Sequence, residues 1–293
     1  MEIIDAHTHI FPPAFIARRA QLVERDHWFA LLYANPRARM VTADDLLTSM
    51  DRAEVARSVT FGFAFRDQGL CDDCNAYVLE SAARHPERLI PFAVASPLAG
   101  VGALRAARQA FEAGAQGLGE LMPDGQGFTL ADEAGLPALL GVAQEYGRPV
   151  MVHVSELLGH PYPGKGTQGP ADAARLAARY SANTFIFSHW GGGLPFYELM
   201  PDMRRALSNA YYDSAASLYL YDDAIFALAA GWSPKRVLFG SDYPLIAQER
   251  FLRRVRSAGL REPALRCFLG DNARRLLERQ APPEGPTEGP RHV

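Results

Sequence analysis

Cysteine is scarce in this 293-residue chain: Cys71 and Cys74 form a C-x-x-C and Cys267 stands alone. An odd count of three gives no disulfide framework and fits a reducing compartment. Without a second C-x-x-C there is no zinc ribbon, and a redox role lacks its βαβ context, so Cys71 and Cys74 read as helix residues at i and i+3. An excess of either charge is also missing. The formal net charge is -3 and the pI about 6.2, with no basic stripe to follow a phosphate backbone, so nucleic acid is not an expected partner. No apolar run approaches the roughly 18 residues that a bilayer crossing needs. The start Met1-Glu2-Ile3-Ile4-Asp5 is acidic where a signal peptide would be basic, so the expectation is a cytoplasmic protein with no membrane partner.

Hydrophobic residues make up 48% of the chain and charged residues 22%, enough for a large core without covalent staples. Eight short apolar or β-branched runs recur: Glu2–Ile10, Arg57–Phe65, Arg88–Pro97, Ala115–Met122, Pro149–Glu156, Asn183–Trp190, Ala206–Ser214 and Arg236–Tyr243. Amphipathic stretches lie between them, over Asp44–Glu54, Cys71–Arg84, Val101–Glu112, Glu133–Tyr146, Ala171–Tyr180 and Leu218–Ala230. Eight βα units predict a (β/α)₈ (TIM) barrel of the α/β class, and an open dinucleotide-binding sheet is disfavoured because no G-x-G-x-x-G follows the first run. Runs that are apolar at nearly every position, such as Phe185-Ile186-Phe187, suit parallel strands covered on both faces. Residues 1–280 are expected to form one domain. Phe11 to Met40 is too long for an ordinary βα loop and reads as an insertion covering the barrel mouth. Residues 281–293, with four prolines and almost no apolar side chain, read as a disordered tail.

Functional groups of such a barrel sit at the C-terminal ends of its strands. His7 and His9 end the first run, two apart and therefore on one side of a strand. His153 falls at the end of the fifth run, His189 of the sixth and Asp242 of the eighth. Imidazoles with a carboxylate are the donor set of borderline divalent metals, Zn²⁺ foremost, with Mn²⁺, Fe²⁺ or Co²⁺ as alternatives. A bound metal acidifies water, and a nearby carboxylate, here Asp242, can take its proton. Trp190 and Tyr243, next to ligand positions, and Glu156, on the Gly/Pro-rich loop after His153, are expected to face a small-molecule substrate, and His160 on that loop is an extra ligand candidate. Arg66 and Asp67 fit surface ion pairing.

The segments Ile4-Asp5-Ala6-His7-Thr8-His9-Ile10-Phe11-Pro12, Ser188-His189-Trp190-Gly191-Gly192 and Phe239-Gly240-Ser241-Asp242-Tyr243-Pro244, with His153, resemble the H-x-H, strand-five, strand-six and strand-eight signatures of the amidohydrolase superfamily. The likeness runs from Ile4 to about Leu277 and is nearest to the aminocarboxymuconate-semialdehyde decarboxylase-like branch. It implies a metal on His7, His9, His153 and Asp242, with His189 either on a second metal or bonded to substrate and water. It also implies a homodimer. Glu120 ends the fourth run, where related hydrolases place a bridging lysine or glutamate, so it either joins two metals or holds a neighbouring histidine or loop. Glu120 turns the expectation towards hydrolysis of a small amide, lactone or ester, with one or two ions, Asp242 as general base and His189 assisting. Non-oxidative decarboxylation of an unsaturated or aromatic acid is the alternative, because that branch holds both chemistries. A catalytically silent binding barrel has no reason to gather so many costly polar groups in one mouth.

Overall fold

The computed structural model of the chain describes residues 1–278. Eight parallel strands form one sheet in sequence order: β1 Ile4–His9, β2 Arg57–Phe61, β3 Leu89–Ala93, β4 Gly117–Leu121, β5 Val150–Val152, β6 Phe185–Phe187, β7 Ala210–Asp213 and β8 Val237–Leu238. The sheet closes on itself: Ala6 N–H donates to Phe239 O (2.7 Å), Asp242 N–H to His7 O (3.0 Å) and His9 N–H to Tyr243 O (2.8 Å). This is the (β/α)₈ barrel that the eight runs predict.

Strand alternation explains why the runs look apolar throughout. Ile4, Val59, Ile90, Met151, Ile186 and Leu238 share one buried cluster that fills the barrel, whereas Val150, Val152, Phe185 and Phe187 pack in another cluster with the helices outside. β4 contributes Gly117 to the interior, and a Cβ there would meet the Phe92 ring at 2.3 Å, so the large ring of one strand uses the space its neighbour leaves. The strands are shorter than the runs, most clearly β8, because chain beyond the last paired residues bends away to form the mouth.

After β1 come three short helices, α1 (Pro13–Ala17), α2 (Arg19–Arg25) and α3 (His27–Tyr33), before α4 (Ala43–Ala53) resumes the barrel pattern. Asp26 caps α3 by accepting from Phe29 N–H at 2.8 Å. Phe29 stacks on Tyr33 at 4.7 Å and meets Phe63 and Phe65 edge-on or tilted, which pins the insertion beside the loop after β2. In α4 a capping box of Thr42 and Asp45 opens the helix, and Leu46, Met50 and Ala53 face the core. α5 (Gln68–Arg84) carries both Cys71 and Cys74 inward, with Asp67 as its cap and ion-paired to Arg25 at 3.1 Å, as surface pairing predicts. The amphipathic stretch Leu218–Ala230 is not one helix. It divides into Ser217–Leu220 and Ala224–Trp232, because Asp222 Oδ1 takes the Ala224 N–H (2.9 Å) and restarts the chain. No helix among the described residues is long and apolar enough to cross a membrane. The tail expected at 281–293 lies outside the described residues.

Candidate metal centre

Six side chains meet at the C-terminal end of the barrel in two groups of three. His7, His9 and Asp242 form one, and Glu120, His153 and His189 the other, each offering ligand atoms within 4.8 Å of one another. Local backbone irregularities aim them there. In β4 four residues, Leu118 to Leu121, span the register that three, Val150 to Val152, cover in β5, and Gly119 supplies the left-handed φ of 118° in that bulge. A Cβ at Gly119 would lie 2.2 Å from Met151 O, so only glycine permits the turn that sets Glu120 into the mouth. A second register shift lies between Asp5 and Thr8, across His7. His189 (φ 56°) and Asp242 (φ 62°) both adopt the left-handed region that non-glycine residues avoid, a strain of about 1–3 kcal/mol each.

Each imidazole except one has an outer partner that turns a bare nitrogen inward. His7 Nδ1–H donates to Asp213 Oδ2 at 2.9 Å, leaving Nε2 facing His9 Nε2 at 3.2 Å. His189 Nδ1–H donates to the Ala215 carbonyl at 3.1 Å, and its Nε2 meets His153 Nδ1 at 3.1 Å. His153 Nε2 faces Ser155 Oγ at 3.2 Å. The exception is His9, whose buried Nδ1 has no partner among the described residues. Glu120 lies between the groups, with its carboxylate oxygens 3.2 Å from His153, 3.5 Å from His189 and 3.7 Å from His7. Asp242 Oδ1 is 3.5 Å from His9 and 3.7 Å from His7.

Nitrogen lone pairs facing one another at about 3 Å repel unless a proton or a cation stands between them, so this donor set fits divalent metal. The electrostatics agree. Burial pushes His7 and His189 down, yet Asp213 and Glu120 raise His7 to about 10, and Glu120, then Asp242, raise His189 to about 9. Burial pushes Asp242 up, but the His9 hydrogen bond and the nearby imidazoles hold it at about 2, and similar contacts hold Glu120 well below the usual carboxylate range. Four inward histidines and two ionised carboxylates form a cation site.

A cavity of about 320 Å³ opens onto the cluster. Its walls are mainly apolar, from Leu32 and Tyr33 of the insertion, Phe63, Met122, Tyr219 and Leu245. His160 lines it beside five of the six ligand candidates, all but His7, and joins neither triad. Three residues expected at the substrate lie elsewhere. Trp190 is fully buried between Phe226 and Phe268, its indole N–H donating to Ser217 Oγ at 2.7 Å, because the left-handed turn at Trp190 directs the ring into the core. Tyr243 sits behind the mouth under Arg39, its hydroxyl donating to Asp45 O (3.2 Å). Glu156 is held within its own loop by Lys165 (3.3 Å) and Tyr162 (3.1 Å).

Two residues at the centre escaped the sequence reading. Asp213, fully buried at the end of β7, accepts from His7, from His189 N–H (3.1 Å) and from Ala215 N–H (3.0 Å). Its signal was present, a carboxylate closing the seventh apolar run. Ser155 accepts from Gly166 N–H at 2.8 Å while facing His153, and a lone serine two residues past a ligand gives no sequence signal.

The amidohydrolase family model matches residues 4–279. Among solved structures, 5-carboxyvanillate decarboxylase from Novosphingobium aromaticivorans, in complex with manganese, superposes with a TM-score of 0.77 at 15% identity, over 94% of this chain and 96% of that one. 2,6-Dihydroxybenzoate decarboxylase from Rhizobium gives 0.70 at 17% identity, over 96% and 100% of the two chains. A putative amidohydrolase from Staphylococcus aureus gives 0.71 at 18% identity, over 95% and 100%. These likenesses establish the shared barrel. No protein of curated function shows detectable sequence similarity to the chain.

Proposed function

We propose that this chain, which belongs to the amidohydrolase family, is a divalent-metal enzyme that hydrolyses a small amide, lactone or ester with a largely apolar body. One observation carries the reading: Glu120, grouped with His153 and His189, is also in reach of His7 in the other triad. His7, His9 and Asp242 would hold one ion, His153 and His189 a second, and Glu120 would join them. Zn²⁺ suits the donors best, with Mn²⁺, Fe²⁺ or Co²⁺ as alternatives. Such ions, when bound, supply Lewis acidity towards a water and towards the oxygen of the scissile carbonyl.

The protein's own groups supply the rest. Asp242, ionised and facing the cavity, accepts the proton of the attacking water and returns it to the leaving nitrogen or oxygen as that bond to the carbonyl carbon breaks. A carboxyl held at about 2 is ionised at neutral pH and so is ready to accept the first proton. Asp213, Ala215 and Ser155 fix ring orientations, so the imidazoles need not reorganise during the reaction. Leu32, Tyr33, Phe63 and Met122 exclude bulk water and receive the substrate's apolar part.

Non-oxidative decarboxylation of an aromatic or unsaturated acid is the second reading, and the comparisons favour it: both solved relatives above with a named reaction are decarboxylases, one of them with manganese. In that chemistry the C–C bond to the carboxylate breaks, its electron pair stays on carbon, and a proton must be delivered there. His189, protonated up to about 9 without metal, is the better donor.

A single experiment separates the readings. Protein reconstituted with Zn²⁺ or Mn²⁺ is assayed against lactones, amides and esters in ¹⁸O-water and against hydroxybenzoates for CO₂ release, with bound metal counted. Two ions per chain and ¹⁸O in the product acid are expected. CO₂ release with one ion and no hydrolysis of any panel member establishes decarboxylation instead.

A further inference from the structure

At the opposite end of the barrel lies a second cavity, of about 260 Å³, with a polar lining. Residues just ahead of three successive strands build it: Arg148 before β5, Asn183 and Thr184 before β6, and Ser208 and Asn209 before β7. It shares no lining residue with the metal centre.

Two of its polar groups are unmatched. Among the described residues Arg148 Nε is buried without a hydrogen-bond partner, and no carboxylate pairs with the guanidinium. The nearest acid in sequence, Glu145, is committed to Arg108. Burial alone acts on Arg148 and depresses its pKa, so the half-buried charge lacks compensation. Asn209 has the opposite need. Its Nδ2 donates to the carbonyls of Ala177 (3.2 Å), Tyr180 (3.1 Å) and Asn183 (2.9 Å), which fixes the amide and leaves buried Oδ1 as an acceptor with no donor. A ligand matching both carries negative oxygens for the guanidinium fork and a hydroxyl for Asn209. Carboxylate and sulfate at neutral pH have the first and lack the second.

The geometry points to a binding site for a protonated phosphate group, free hydrogen phosphate or a phosphate monoester, held by Arg148 and Asn209 at the N-terminal ends of β5 to β7. Thr184 and Ser208, two hydroxyl residues, also line the cavity. The site is independent of the chemistry proposed for the mouth.

Calorimetric titration of the metal-loaded full chain with inorganic phosphate, sulfate and glycerol 3-phosphate at pH 7 tests this. Phosphate bound at the metal centre persists in an Arg148→Met variant, so the difference between wild type and variant isolates the basal site. Wild type is expected to show a component that Arg148→Met weakens at least about tenfold, the worth of one charge-assisted pair. Asn209→Asp, which turns a carboxylate on the ligand, should remove it too, while Arg108→Met should not. If Arg148→Met folds poorly, Arg148→Lys keeps the charge, loses the fork and should still weaken binding. Binding of either phosphate form supports the site, and the tighter one identifies the source. Unchanged phosphate binding in Arg148→Met, or sulfate binding as tightly as phosphate, overturns it.

Discussion

His7 presents two nitrogens to two different surroundings, and one carboxylate keeps them distinct. With Asp213 accepting from Nδ1 at 2.9 Å, the lone pair on Nε2 must face the cluster. Asp213→Asn removes that preference while conserving shape. Metal affinity, measured by chelator competition, is expected to fall about 10- to 100-fold, with the melting temperature of metal-free protein changing much less. Equal losses in both would make Asp213 a structural residue only. Glu120→Gln should cut the bound metal from two ions to one, because it removes the carboxylate in reach of both triads. The thiols give a simpler check. Burial pushes Cys74 up to about 12 and Cys71 well above its usual value, whereas Cys267 is partly accessible. An aromatic disulfide reagent should therefore label one thiol in native protein and all three after denaturation. At this scale the convergence of the six candidate ligand side chains was legible in the sequence because donor residues at strand ends of a barrel share one mouth. Trp190, Tyr243 and Glu156 were misjudged because adjacency to a ligand does not fix where a side chain points, and a left-handed residue such as Trp190 reverses the direction that strand alternation suggests.

The helices between strands were legible wherever caps and periodicity agreed. Val101–Glu112 is an amphipathic helix with the bounds its pattern gives, and α4 begins at the capping box of Thr42 and Asp45. Thr42→Ala should lower unfolding free energy by about 1 kcal/mol in urea melts, with little effect on metal uptake, since only the cap is lost. A much larger loss would mean that α4 also orders the mouth. Gly62→Ala is expected to cost more. Its Cβ would lie 2.4 Å from Cys74 Cβ on α5, so helix and strand must separate before it fits. Periodicity did not reveal the break at Asp222 or the register shifts in β1 and β4. Each depends on a local hydrogen bond or a single residue's φ, and these leave no trace in a hydrophobic pattern.

For the whole molecule, the barrel places four histidines and two ionised carboxylates at one mouth, an arrangement that costs stability until a cation occupies it. Without metal, His7 stays protonated up to about 10 and His189 up to about 9, so two protons offset the negative charge of the mouth carboxylates Glu120 and Asp242. An ion must displace those protons. The sign follows directly: lowering the pH favours the protonated rings and opposes metal, and raising it towards 9 favours binding. Each displaced proton contributes up to about tenfold in affinity per pH unit. Zn²⁺ or Mn²⁺ affinity should therefore weaken steeply from pH 8 to pH 6, and the gain in melting temperature on adding metal should shrink in parallel. The eight runs and the strand-end donors foretold this concentration of ligands, but the balance between protons and ions did not follow from them. It depends on distances between side chains that come from six different strand ends. A metal affinity flat between pH 6 and pH 8 would mean that the imidazoles are already neutral in the free protein, and that the carboxylates of the mouth draw their compensation from another source.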